Sequence, residues 1–137
     1  MPETDTDAAA DPVDQPGVLD IADRLFRAIE QGDLDTVRSL YAPDIVVWAN
    51  FDSRDQDLER SMKVLAWMCT KMRDRHYDVR RRDVIPGGFL QEHVLRGTAP
   101  DGSSIAMPAC IIATVADGRI TGMHEYLDPS AVAALAG

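Results

Sequence analysis

Residues 76–126, HYDVRRRDVIPGGFLQEHVLRGTAPDGSSIAMPACIIATVADGRITGMHEY, decide the fold. They divide into four strand-like runs, 76–85, 88–98, 104–116 and 119–126, rich in β-branched and apolar residues. The breaks between them are turn sequences: Ile85-Pro86-Gly87-Gly88, Ala99-Pro100-Asp101-Gly102 and Asp117-Gly118, the last a two-residue hairpin signal.

Upstream the period changes. Leu19, Ala22, Leu25, Phe26 and Ile29 recur at helical spacing over 18–31, and Gly32 follows as a C-cap glycine would. Asp33 can cap a short second helix through Leu40, and Pro43 stops it. Residues 45–50, IVVWAN, read as a first strand. Leu58, Met62, Leu65, Cys69 and Met72 mark one face of a third helix over 56–72. Asp128-Pro129 opens a terminal helical turn, SAVAALA. Helices first and a run of strands later predict an α+β domain with an antiparallel sheet, one face of it covered by helices.

The chain has 137 residues, enough for one domain with a real core. Its net charge is −9, but five of the 23 acids lie within residues 1–17, where Lys and Arg are absent. That segment lacks the apolar mass to offset its ordering entropy, so 1–17 reads as a disordered acidic tail and 18–137 as the domain. What remains is mildly acidic, which argues against nucleic-acid binding. No window reaches 18 apolar residues, so no membrane span is expected. The N-terminus has neither a basic nor an apolar leader region, which makes the cytoplasm the expected location. Cys69 and Cys110 each sit in an apolar stretch and are expected as reduced thiols. Neither a metal-spaced Cys/His cluster nor a Gly-rich phosphate loop is present, so no metal or cofactor is expected.

Candidate chemistry lies on the strands. Trp48 and Asn50 leave one face of the first strand. Gln91 and His93 share a face of 88–98, and Met123, Glu125 and Leu127 share a face of the last strand. Alternation alone leaves open whether His93 with Glu125, or Glu92 with His124, looks inward. His93 and Glu125 together would form an acid/base dyad, the carboxylate holding the imidazole's tautomer and raising its pKa. The bland alternative is a satisfied strand histidine and a solvated edge glutamate. His76 and the Arg80-Arg81-Arg82 run read as solvated or dimer-facing. Met62, Met68, Met72 and Met107 are core residues or the lining of a deformable apolar pocket.

LYAPDIVVWAN, HVLRGTAPDG and VADGRITGMHEYLDPSAVAAL together resemble the SnoaL-like branch of the nuclear-transport-factor-2-like superfamily over about residues 18–135. The resemblance implies a cone, a strongly bent sheet wrapped around three helices, with an apolar pocket inside. Members include polyketide cyclases, ketosteroid isomerases, limonene epoxide hydrolases and non-catalytic proteins. Against the epoxide hydrolases, Trp48-x-Asn50 falls where they carry Tyr-x-Asn, Gln91-x-His93 where they carry Arg-x-Asp, and Glu125 where they carry a closing acid. That register turns Asn50, Gln91, His93 and Glu125 into the pocket.

The departures remove the pair that activates an epoxide, and the steroid isomerase acids fall near Ala49 and Ile111. The resulting expectation is a cofactor-free acid/base enzyme with His93, Glu125 and Asn50 catalytic. Trp48, Gln91, Met62, Leu65 and Met107 would contact a bulky apolar polyketide-, steroid- or terpenoid-like substrate. Alternatives are a ligand-binding protein of the same fold and water activation through Asn50 and Glu125. The resemblance also implies a homodimer through the outer sheet face.

Overall fold

The computed structural model describes residues 17–136, so the expectation of a disordered tail falls outside the described residues, apart from Gly17. Helix α1 (Val18–Gln31) buries Ile21, Ala22, Leu25, Phe26 and Ile29, and ends on Gly32 in the left-handed region at φ 71°. Helix α2 (Leu34–Leu40) starts on Asp33, whose carboxylate accepts from the Thr36 N–H. Helix α3 (Leu58–Lys71) is capped in the same way by Asp57 through the Arg60 N–H.

Strand β1 (Tyr41–Ala49) is followed after α3 by β2 (Arg73–Ile85), β3 (Gly88–Thr98), β4 (Ser104–Ala116) and β5 (Arg119–Leu127). Helix α4 (Pro129–Ala136) closes the chain. The hairpin between β4 and β5 turns on Asp117 and Gly118, with φ 54° and 77°, the positive pair that matches the twist of the flanking strands. Pro43, expected to sit between helix and strand, lies inside β1. It is tolerated because β1 is an edge strand.

The five strands form one curved, unclosed sheet in the order β1-β5-β4-β3-β2. The β2–β3, β3–β4 and β4–β5 pairs are antiparallel, as their turns predict. β1 runs parallel to β5, so the sheet is mixed and not antiparallel throughout. The turn-linked strands set their own direction, but β1 reaches β5 only through α3 and three other strands, and such a connection leaves either direction open.

Helices α1, α2 and α3 cover the concave face, and α4 packs on β4 and α3. The inward residues of successive strands, among them Ile45, Val47, Phe89, Leu95, Ile105, Met107, Ile111, Ala113, Ile120 and Met123, meet the helices in one core. Cys69 and Cys110 are free thiols. No described helix is long and apolar enough to cross a membrane.

Candidate functional site

The sheet and helices enclose a cavity of about 120 Å³. Apolar and aromatic side chains dominate its wall: Phe26 from α1, Leu65 and Met68 from α3, Met107 and Ile111 from β4, and Leu135 from α4. Phe51, Val64 and Trp67 also line it and are 41%, 37% and 38% exposed, which makes them its rim. Tyr41, Gln56, Ser61, Tyr77, His93 and Glu125 supply its polar groups.

His93 and Glu125 therefore share one cavity, from β3 and β5 respectively, and Gln91 is fully buried beside His93. They do not touch. Ala109 of β4 pairs with His93 and Ile111 with Glu125, so β4 runs between them. Strands two apart lie about 10 Å from one another, and no hydrogen bond or ion pair joins the two side chains among the described residues. The expectation that Glu125 sets the tautomer of His93 is corrected here: the neighbour of the His93 Nδ1 is the Gln91 Nε2, 2.9 Å away. Gln91 Oε1 in turn accepts from Arg82 Nε at 2.6 Å. Tyr77 meets the imidazole edge-on and Phe26 lies tilted against it, with ring centroids 4.8 Å and 5.7 Å away.

The electrostatics follow from burial. His93 is pulled down to about 4, chiefly by desolvation and then by the Arg82 guanidinium, so its ring is neutral at pH 7. Glu125 is pushed up to about 7 by desolvation alone. Among the described residues its carboxylate has no hydrogen-bond or cationic partner. Burial and the nearby Glu125 also raise the Tyr41 and Tyr77 phenols, which stay protonated. A partner carboxylate was expected to bring His93 towards neutrality; instead the carboxyl is the group that titrates there.

Three expected site residues lie elsewhere. The inward set of β1 is Ile45, Val47 and Ala49, so Trp48 points to the outer face. There it packs on His124 and Tyr126 with centroids 5.3 Å and 5.2 Å away. On β1 alone, the register taken from the epoxide hydrolases is thus displaced by one, and a slip of one residue flips every side chain of a strand. Asn50 is exposed beyond the strand end and is not part of the cavity wall. Its amide brackets Leu127, donating to the carbonyl and accepting from the N–H, both at 3.1 Å. That clamp ties β1 to the strand carrying Glu125. Met62 is buried core and not lining, whereas Leu65 and Met107 do line the cavity.

Sequence reasoning missed Arg82, grouped with a solvated arginine strip. The β2–β3 register shifts between Val79 and Arg81, and the extra residue in that bulge turns Arg82 onto the inner face opposite Gln91. Phe26 was read only as part of the apolar face of a helix, and the Tyr41 and Tyr77 rings were not singled out.

The comparisons agree with this architecture. An epoxide hydrolase of M. tuberculosis resembling limonene epoxide hydrolase superposes with a TM-score of 0.71 at 21% identity, covering 87% of this chain and 89% of its own. A protein from Shewanella denitrificans OS-217 assigned as a SnoaL-like polyketide cyclase gives 0.74 at 12% identity, covering 87% and 96%. A loop-truncation variant of IdmH gives 0.74 at 26% identity, covering 87% and 98%. No curated protein matches the chain. The SnoaL-like domain family matches residues 22–123, most of the described structure, and the chain belongs to that family.

Proposed function

We propose that this chain is an enzyme that moves protons without a cofactor on a neutral, mostly apolar small molecule. Glu125 is its acid/base group, and His93 is a neutral polar group facing the same ligand. One observation carries the reading: a carboxyl without a protein partner faces the cavity and titrates at about 7. A group at that pKa gives and takes protons at neutral pH with little driving-force penalty. With a pKa of about 4, His93 is too weak a base to share that task.

Cyclisation, isomerisation, dehydration and hydration all use such a pair. In the simplest case Glu125 removes a proton from the carbon next to a carbonyl. The C–H electron pair becomes a C=C bond as the carbonyl π pair moves onto oxygen, giving an enolate, and protonated Glu125 then returns the proton to carbon. The fold accommodates several chemistries and does not choose among them. The cyclase and epoxide hydrolase among the structural neighbours are analogies that favour a polyketide- or terpenoid-like substrate. A cavity of about 120 Å³ admits one ring or chain end, because about 150 Å³ holds a benzene. The remainder of a larger molecule then lies over Phe51, Val64 and Trp67.

The test needs no natural substrate. Deuterium exchange of the α protons of cyclopentanone in D2O, followed by proton NMR, should exceed the buffer rate and rise with pH to a midpoint near 7. Glu125→Gln should abolish the excess. Equal rates for the two proteins overturn the reading. Saturable shift changes without exchange would instead identify a binding protein.

A further inference from the structure

We propose that Arg82 and Gln91 are positioning residues that lock His93 in the tautomer with the proton on Nε2, so that the imidazole offers the cavity a hydrogen-bond donor. The inference rests on the reading of the cavity as a proton-transfer site, but its argument is geometric. A guanidinium has only donors. The contact of 2.6 Å from Arg82 Nε therefore fixes which end of the Gln91 amide is oxygen. The amide NH2 then faces His93 Nδ1 at 2.9 Å, and only an unprotonated Nδ1 can accept from it. The proton of the neutral ring is left on Nε2.

Each part of this chain is braced. Arg82 stands 3.6 Å from the Asp23 carboxylate, and its guanidinium carbon lies 5.7 Å from the Phe26 ring centroid. Gln91 is 0% exposed and cannot trade its partners for water. His93 is 4% exposed and lines the cavity, and Nε2 has no protein partner among the described residues. A buried donor without a partner costs about 1–3 kcal/mol, a cost that an incoming acceptor removes. The ligand class follows: a neutral molecule with an oxygen acceptor, a carbonyl or the enolate formed from it, set against His93 while its carbon faces Glu125. Protonating His93 on Nδ1 would set donor against donor, which reinforces its neutrality.

The test is the nitrogen spectrum of selectively 15N-labelled histidine in the intact protein. At pH 7 wild-type His93 should show a pyridine-like Nδ1 and a pyrrole-like Nε2. Gln91→Glu places an acceptor on both neighbours, so the pattern should invert while the side chain's shape is kept. Arg82→Met frees the amide to turn, and the two patterns should mix; this variant decides the matter if Gln91→Glu does not fold. A wild-type Nδ1–H, or a wild-type pattern retained in both variants, overturns the proposal. The spectrum does not depend on turnover, so absence of cyclopentanone exchange would defeat the proton-transfer reading and leave this result standing. Where exchange is observed, Gln91→Glu should lower kcat on the order of 10²-fold with little change in KM, the loss expected when one preorganised donor is removed.

Discussion

Gln91 and Glu125 both sit opposite Ile111, one on each side of β4. The two polar walls of the cavity are therefore separated by an apolar strand, and each has its own electrostatics. Gln91 belongs to a hydrogen-bonded chain that ends on a neutral imidazole. Glu125 stands alone. Desolvation of an isolated carboxyl governs its titration, and it acts upward.

That isolation predicts a stability signature for Glu125→Gln. The folded-state pKa of about 7 lies above the ordinary carboxylate range. Between about pH 4.5 and 7 the folded protein holds a proton that the unfolded chain has released, so this group's contribution falls as pH rises. Above pH 7 the cost is constant. The variant lacks it, so its stability advantage over wild type should grow from pH 4.5 to 7 and then level off, reaching about 3 kcal/mol. Urea unfolding at several pH values measures this. His93 acts with the opposite sign: its pKa of about 4 makes stability rise with pH between about 4 and 6.5. The two slopes oppose each other in wild type over most of that window. Glu125→Gln should uncover the rising one. A flat difference between the proteins from pH 4.5 to 7 would show that Glu125 is not desolvated.

Arg75 makes a second prediction, about the scaffold. Its guanidinium donates to the Ile29 and Glu30 carbonyls at the end of α1 and to the Cys69 and Met72 carbonyls at the end of α3, at 2.5–3.2 Å. Helix C-termini leave carbonyls unsatisfied and favour a cation. One side chain thus ties together the two helices that roof the cavity. Arg75→Met should cost about 2–3 kcal/mol in thermal or urea unfolding, since hydrogen bonds to a charged group are lost and carbonyls are left bare. Arg75→Lys should recover only part, because an ammonium cannot span four carbonyls with a planar fork. Full recovery by lysine would show that charge alone matters.

The outer face of the sheet carries the third. Val46, Ile112 and Tyr126 are 47%, 36% and 44% exposed on the adjacent strands β1, β4 and β5, beside the Trp48–Tyr126 ring pair. A contiguous apolar surface of this kind marks an interface more often than bare surface. Light scattering at micromolar concentration should give a homodimer mass, and Ile112→Glu should give a monomer with its far-UV circular dichroism unchanged. A monomeric wild type would leave that face open.

What the sequence made legible, and what it hid, divides on whether the signal was local. The bounds of α1 followed from apolar spacing and Gly32, and those of β3, β4 and β5 from their turns, because each depends on neighbours in the chain. The direction of β1 did not, because its partner β5 lies at the far end of the sequence. The inward face of β1 was misjudged for a related reason: Trp48 and Val47 are both apolar enough to be buried, and only the paired sheet decides between them. Arg82 was hidden by the bulge, which breaks the alternation used to assign it. His93 and Glu125 were placed together because strand period and resemblance agreed, but their roles depended on burial and partners that no spacing records.

Leu135 carries the last prediction. It is 1% exposed and lines the cavity from α4, the final helix. Val132 lines it from the same helix, and the remaining walls come from the sheet, α1, α3 and the segment before α3; Leu135 is the fully buried side chain with which the short terminal helix closes the site. Leu135→Ala should destabilise the protein by about 2–5 kcal/mol, from lost burial and the space left behind. The same space should join the cavity and alter its preference by size. In wild type, cyclopentanone should bind more tightly than cyclooctanone, since about 120 Å³ suits the smaller ring. In Leu135→Ala the order should reverse or the gap should close by roughly tenfold, a methylene or two being worth about 1–3 kcal/mol in a fitted pocket. Titration by proton NMR reads both ligands in one sample. A variant that is destabilised yet keeps the wild-type order would show that Leu135 supports the fold without limiting what the cavity admits. The size limit would then lie with Leu65 and Met68 of α3.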